Sequence, residues 1–68
     1  MKGFAEIIIQ QQLDLQWEDR FEGMTICYRD NHTILQGTLK DQAHLHGILN
    51  VIRDLNLKLI SVNLREPG

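Results

Sequence analysis

The chain has little of what most specialised chemistry is built from: one cysteine, one proline, one tryptophan and one tyrosine in 68 residues. The single thiol, Cys27, excludes an internal disulfide and any centre held by several cysteines, such as a four-cysteine zinc or iron–sulfur site. The absence of paired cysteines also leads us to expect a cytoplasmic setting. No apolar run exceeds three residues, as at Ile7-Ile8-Ile9, which is too short for a bilayer span or a signal-peptide core. An excess of positive charge is missing too. Seven Lys and Arg stand against nine Asp and Glu, a formal charge of -2, so the footprint of a phosphate-backbone binder is lacking. No membrane and no nucleic-acid partner is therefore expected.

What is present suffices for one small α+β domain over residues 1–68. With 43% apolar and 24% charged residues, the chain is neither disordered nor collagen-like. No repeat or linker interrupts it, and Pro67 and Gly68 read as a frayed end. Phe4 to Gln11 is β-rich without helical period and predicts a strand, with Gln10-Gln11-Gln12 as its solvated end. A helix is expected from about Leu15 to Glu22. Asp14 suits its N-cap, and Leu13, Trp17 and Phe21 recur every four residues as an apolar stripe. Glu18 and Asp19 suit the positive end of the helix dipole, and Gly23 suits the left-handed position past its end.

Met24–Arg29 and His32–Leu39 predict two strands joined by a tight turn at Asp30-Asn31, residues that tolerate positive φ. A second helix is expected from Gln42 to Leu55, capped by Asp41, stopped by Asn56, and apolar along Leu45, Ile48, Leu49, Ile52 and Leu55. The last strand runs from Leu57 to about Leu64. The order β-α-β-β-α-β predicts a ferredoxin-like sandwich, a four-stranded antiparallel sheet with two helices on one face. Its first and third strands would be central, its second and fourth at the edges.

The string Asp41-Gln42-Ala43-His44-Leu45-His46-Gly47-Ile48-Leu49, continued by Asp54-Leu55 and by Leu59 to Val62, resembles a family of short uncharacterised bacterial proteins with a D-Q-A-x-L-H-G-x-L helix. Trp17, the stretch Phe21 to Ile26, and Leu35-Gln36-Gly37 are similar to that family's earlier segments. Asn56 stands where the family usually has Gly, and Asp30-Asn31 replaces a Gly-containing turn; positive φ is tolerable at all three. The resemblance implies the ferredoxin-like fold and no mechanism.

No motif points to a catalytic residue, a cofactor or a metal. The loop Gln11-Gln12-Leu13-Asp14 offers neither paired cysteines to carry copper or zinc nor an Arg to cradle phosphate, and the third strand has no aromatic to stack a base. Glycine-rich phosphate loops, a Ser-His-Asp order and H-E-x-x-H are all missing. His44 and His46 lie two apart on the second helix, diverging by about 200°, and cannot share a metal on one face. His46 points to solvent, and His32, just past the hairpin turn, reads as solvated. His44 flanks the apolar face near Ile48 and Val51, where a packed ring with one hydrogen-bonded nitrogen is favoured over catalysis; it remains the one functional candidate. Cys27 reads as an inert thiol. Glu18, Asp19 and Glu22, paired with Arg20 or Arg29, read as surface worth about 0–1 kcal/mol per pair.

The strands alternate imperfectly. Phe4 and Ile8 oppose Ile7 and Ile9, Ile34 opposes Leu35 and Leu39, and Leu57 and Leu59 oppose Ile60, Val62 and Leu64. Helices on one face leave apolar side chains on the other, so Phe4, Ile8 and Ile34 are the expected contact surface of a homodimer or higher homo-oligomer. The function expected is thus a self-associating interaction or regulatory module, with a protein partner possible. The alternative is a small enzyme with an intersubunit site using His44 as acid/base.

Overall fold

In a computed structural model, residues 3–65 are described; the expected fraying at Pro67 and Gly68 lies outside them. The elements run β1 (Gly3–Ile9), a 3-10 helix (Leu15–Arg20), β2 (Met24–Arg29), β3 (His32–Leu39), α1 (Gln42–Asp54) and β4 (Leu59–Arg65). One antiparallel sheet forms in the order β2-β3-β1-β4. Its central and edge strands are those the sequence predicts.

The two-helix ferredoxin-like sandwich does not form: the sheet carries one α-helix, and the first crossover holds only the six-residue 3-10 helix. Chain length explains the difference. Returning along a seven-residue strand means covering ~23 Å at ~3.3 Å per residue, which takes about 15 residues of α-helix at ~1.5 Å each. Only residues 10–23 lie between β1 and β2, and some of them must turn the chain. A connection without regular structure at 10–14, bent at 10–11 and extended at Asp14, followed by a 3-10 helix rising ~2.0 Å per residue, covers the distance. Asp14 still caps it, its side chain accepting from the Gln16 N–H at 3.0 Å. The second crossover, residues 40–58, is long enough for the thirteen residues of α1.

Local chemistry sets the remaining boundaries. Asp30 and Asn31 both adopt positive φ, 51° and 68°, the conformation a two-residue hairpin turn requires. Asp41 caps α1 by accepting from the His44 N–H at 2.8 Å. At the other end Asn56 takes φ 57°, the Leu57 N–H donates to the Ile52 carbonyl and the Asn56 N–H to the Arg53 carbonyl. That is a Schellman closure, with asparagine doing the work of glycine.

On the helix side of the sheet, Ala5, Ile7 and Ile9 of β1 pair with Gly37, Leu35 and Thr33 of β3. Ala5, Ile7, Ile9 and Leu35, together with Leu13, Phe21, Met24, Ile26 and Leu39, form one buried cluster with Ile48 and Ile52 of α1. Leu45, Leu49, Leu55 and Trp17 pack around it half-buried. Gly37 lies opposite Met24, and a Cβ there would run into the Gly23 carbonyl oxygen. Val62 and Leu64 of β4 oppose Ile7 and Ala5 and so belong to this face. An irregularity between Ile8 and Ile9 leaves one extra residue on β4, because Ile8 pairs with Ser61 and Ile9 with Leu59.

Side-chain bonds hold the irregular crossover. The fully buried Thr33 hydroxyl donates to the Gln11 carbonyl and accepts from the Leu13 N–H, both at 2.7 Å. The Tyr28 hydroxyl donates to the Leu13 carbonyl. Gln10 and Gln11 are tied to the start of the last strand through Lys58, at 2.9 Å each.

Candidate functional site

His44 is half-buried in the first turn of α1. Its Nδ1 accepts the Lys40 N–H at 3.1 Å. Its Nε2 lies 2.6 Å from the Glu22 carbonyl oxygen, which can only accept, so Nε2 carries the proton and the two contacts together fix one tautomer. The ring therefore bolts the start of α1 to the Glu22-Gly23 bend. It lies so near Gly23, φ 78°, that a Cβ there would come within 3.2 Å of its Cε1. The expected role with one bonded nitrogen becomes two bonded nitrogens, both to backbone. An open cleft of about 310 Å³ adjoins it, bounded by Arg20, Glu22, Ala43, Gly47 and Val51.

Other titratable groups are scattered. Glu22 pairs at 3.4 Å with Lys40, both exposed, and Arg20 lies over the Trp17 ring at 5.8 Å and pairs with no carboxylate among the described residues. His46 is exposed as expected, whereas His32 is half-buried, a correction to the solvated position expected of it. Cys27 is a half-buried free thiol. Among the described residues no three His, Cys, Asp or Glu side chains are grouped so as to hold a metal ion. No described helix is long and apolar enough to cross a membrane. A second open cleft, of about 530 Å³, lies between Gln12–Leu15 and Tyr28.

Phe4, Ile8 and Ile34 do share one face, the side of the sheet without a helix. Ile8 pairs directly with Ile34, which in turn pairs with Cys27. Across the same face run polar rows: Thr25, Gln36, Glu6 and Asn63, then Thr38, Phe4 and Arg65. Ile34 itself is only 3% exposed, so it is not contact surface; the exposure left to this apolar set is on Phe4 and, in part, Ile8. The apolar surface lies chiefly elsewhere. Leu59, Ile60 and Leu64 of β4 are 42%, 50% and 47% exposed. Sequence reasoning placed β4 at an edge but did not single out these three side chains as exposed, because it expected two helices over the sheet. It also missed Thr33, although its phase with Leu35 and Leu39 places a hydroxyl in the core.

A family model described as Domain of unknown function (DUF8691) matches residues 4–63, a span that includes the strings of the helix and strands quoted above. No curated protein and no solved structure matches the chain.

Proposed function

We propose that this chain, which belongs to the family described as Domain of unknown function (DUF8691), works as a small self-associating interaction module. One observation carries the reading: large apolar side chains at its surface gather on one strand. Of six exposed large hydrophobics among the described residues, three lie on β4, and a fourth, Phe4, is on the neighbouring strand opposite Arg65. A gathered apolar surface on a small domain marks a contact region, and pairing of identical patches about a two-fold is the commonest way to cover one. Phe4 and Ile8 lie on the opposite, helix-free face of the sheet from Leu59 and Leu64.

The enzyme alternative has no comparable support. His44 spends both ring nitrogens on backbone groups, leaving no lone pair or proton for a substrate. A cytoplasmic setting belongs to the reading and rests on the lone free thiol, Cys27. Sedimentation from micromolar to several hundred micromolar tests it. The expected result is a concentration-dependent mass of at least twice 7.9 kDa. A strictly monomeric species that unfolds cooperatively would refute it.

A further inference from the structure

We infer that the cleft between the 3-10 helix and α1 binds a small planar carboxylate, an aromatic acid of single-ring size, through Arg20 and the bare flank of α1 at Gly47. The inference does not rest on the self-association reading, because no residue of β4 lines this cleft. It starts from Gly47, which stands in the interior of α1, where glycine is the poorest residue short of proline. The chain itself accounts for Gly23 and Gly37. Gly23 holds a positive φ of 78°, and a Cβ at Gly37 would run into the Gly23 carbonyl oxygen. Gly47 has no positive φ, and a Cβ there would meet nothing within 4 Å. A residue that breaks a local rule with no compensating contact inside the chain points to a use outside it. What glycine provides at that position is close approach to the helix backbone.

The rest of the cleft sets the charge and size of the ligand. Ala43, Gly47 and Val51, all on its lining, are spaced four apart and so stand one above another on the same face of α1. They offer an apolar strip without a side chain at its middle. Arg20 lines the same cleft from the 3-10 helix. It is held over the Trp17 ring at 5.8 Å and pairs with no carboxylate among the described residues. Glu22, the one acid on the lining, is already answered by Lys40 at 3.4 Å. One positive charge is left over, and its complement is an anion. A carboxylate meets a guanidinium edge with two parallel N–H···O bonds, while a ring laid on Gly47 covers its face with the apolar strip. The cleft measures about 310 Å³, at the lower end of the ~300–1,000 Å³ of small-molecule sites, which fits a single ring. The larger cleft beside Tyr28 has no such cation: its one charged group, Asp14, is engaged with the Gln16 N–H.

Amide NMR titration of the full chain with sodium benzoate tests the inference, with benzamide as the ring without the charge and inorganic phosphate as the charge without the ring. Benzoate should shift the amides of Arg20, Ala43 and Gly47 along saturable curves. Benzamide and phosphate should each bind more weakly by roughly tenfold or more, the loss expected with one charge-assisted bond or one covered ring face. Gly47→Leu, which fills the cleft with a good helix former, should abolish benzoate binding while the unfolding midpoint holds or rises. Arg20→Gln should weaken benzoate binding roughly tenfold with the midpoint in place. Benzoate shifts that stay linear to the solubility limit, equal affinity for benzamide or phosphate, or unchanged binding in Gly47→Leu or Arg20→Gln overturn the inference. Each of those results leaves self-association, which sedimentation decides, untouched.

Discussion

Replacing Thr33 by Val keeps the shape of the side chain and deletes one hydroxyl that serves two backbone groups of the crossover. The hydroxyl accepts from the Leu13 N–H and donates to the Gln11 carbonyl, each at 2.7 Å. Leu13 is buried and Gln11 exposed, so the two losses are unequal. The orphaned Leu13 N–H has no access to water and should cost about 1–3 kcal/mol; the Gln11 carbonyl rehydrates and forfeits only the net value of a bond, about 0.5–1.5 kcal/mol. The expected total is roughly 2–4 kcal/mol, against a whole stability for a domain of this size of about 3–10 kcal/mol. Denaturant unfolding of the dilute protein, followed by the fluorescence of Trp17, the single tryptophan, reads it directly. Thr33→Ser retains the hydroxyl and loses a methyl, so it should fall between wild type and Thr33→Val. Amide exchange at Leu13 should accelerate in Thr33→Val ahead of global unfolding. A Thr33→Val protein within about 0.5 kcal/mol of wild type, a difference expected of a neutral surface change, or one more stable than Thr33→Ser, would refute the idea that this hydroxyl holds the crossover.

Trp17→Ala should cost about 1–3 kcal/mol, less than the roughly 3–5 kcal/mol of a fully buried tryptophan, because Trp17 is half-buried; thermal unfolding by circular dichroism checks it, and a loss above that range would mean the ring is a core residue. His44→Ala should destabilise by about 1–2 kcal/mol through two lost backbone bonds, and His44→Gln, able to reach one of them, by about half as much; equal midpoints for wild type and His44→Ala would show that the bolt to Glu22 carries no stability. Gly47→Ala should stabilise by about 0.5–1 kcal/mol, since a Cβ there meets nothing within 4 Å and alanine suits a helix interior better than glycine. A lower denaturation midpoint for Gly47→Ala would mean that this flank of α1 is covered in solution.

Elements with local chemical signals were legible in the sequence. The hairpin bounds, the positive φ at Asp30, Asn31, Gly23 and Asn56, and the cap at Asp41 all follow from what those side chains do to their own backbone. The first crossover was not legible in the same way. Its stripe of Leu13, Trp17 and Phe21 looks helical, yet Leu13 precedes the 3-10 helix and Phe21 follows it. Four-residue spacing is satisfied by any path that dips twice into the core, and the distance to be covered chose between them. For the candidate surface, alternation placed Phe4, Ile8 and Ile34 on one face, but not the burial of Ile34, which its neighbours across β1 and β2 supply. The bare edge at Leu59, Ile60 and Leu64 depends on how many helices cover the sheet, a tertiary fact that no window along β4 contains.

The placing of β1 at the centre of the sheet has a bearing on how the chain is made. Both strands that flank it, β3 and β4, are synthesised after it. Ribosomes add roughly 5–20 residues per second, so Ile7 and Ile9 wait roughly 3–11 s between their own synthesis and that of the far end of β4. During that interval the later β2–β3 hairpin can close by itself, whereas β1 has only one side to offer it, and the sheet is completed when the last strand arrives. The slow step on the ribosome is then set by the long sequence separation between β1 and β4, and a nascent chain stalled before Leu59 holds its most buried strand unsheltered along one edge.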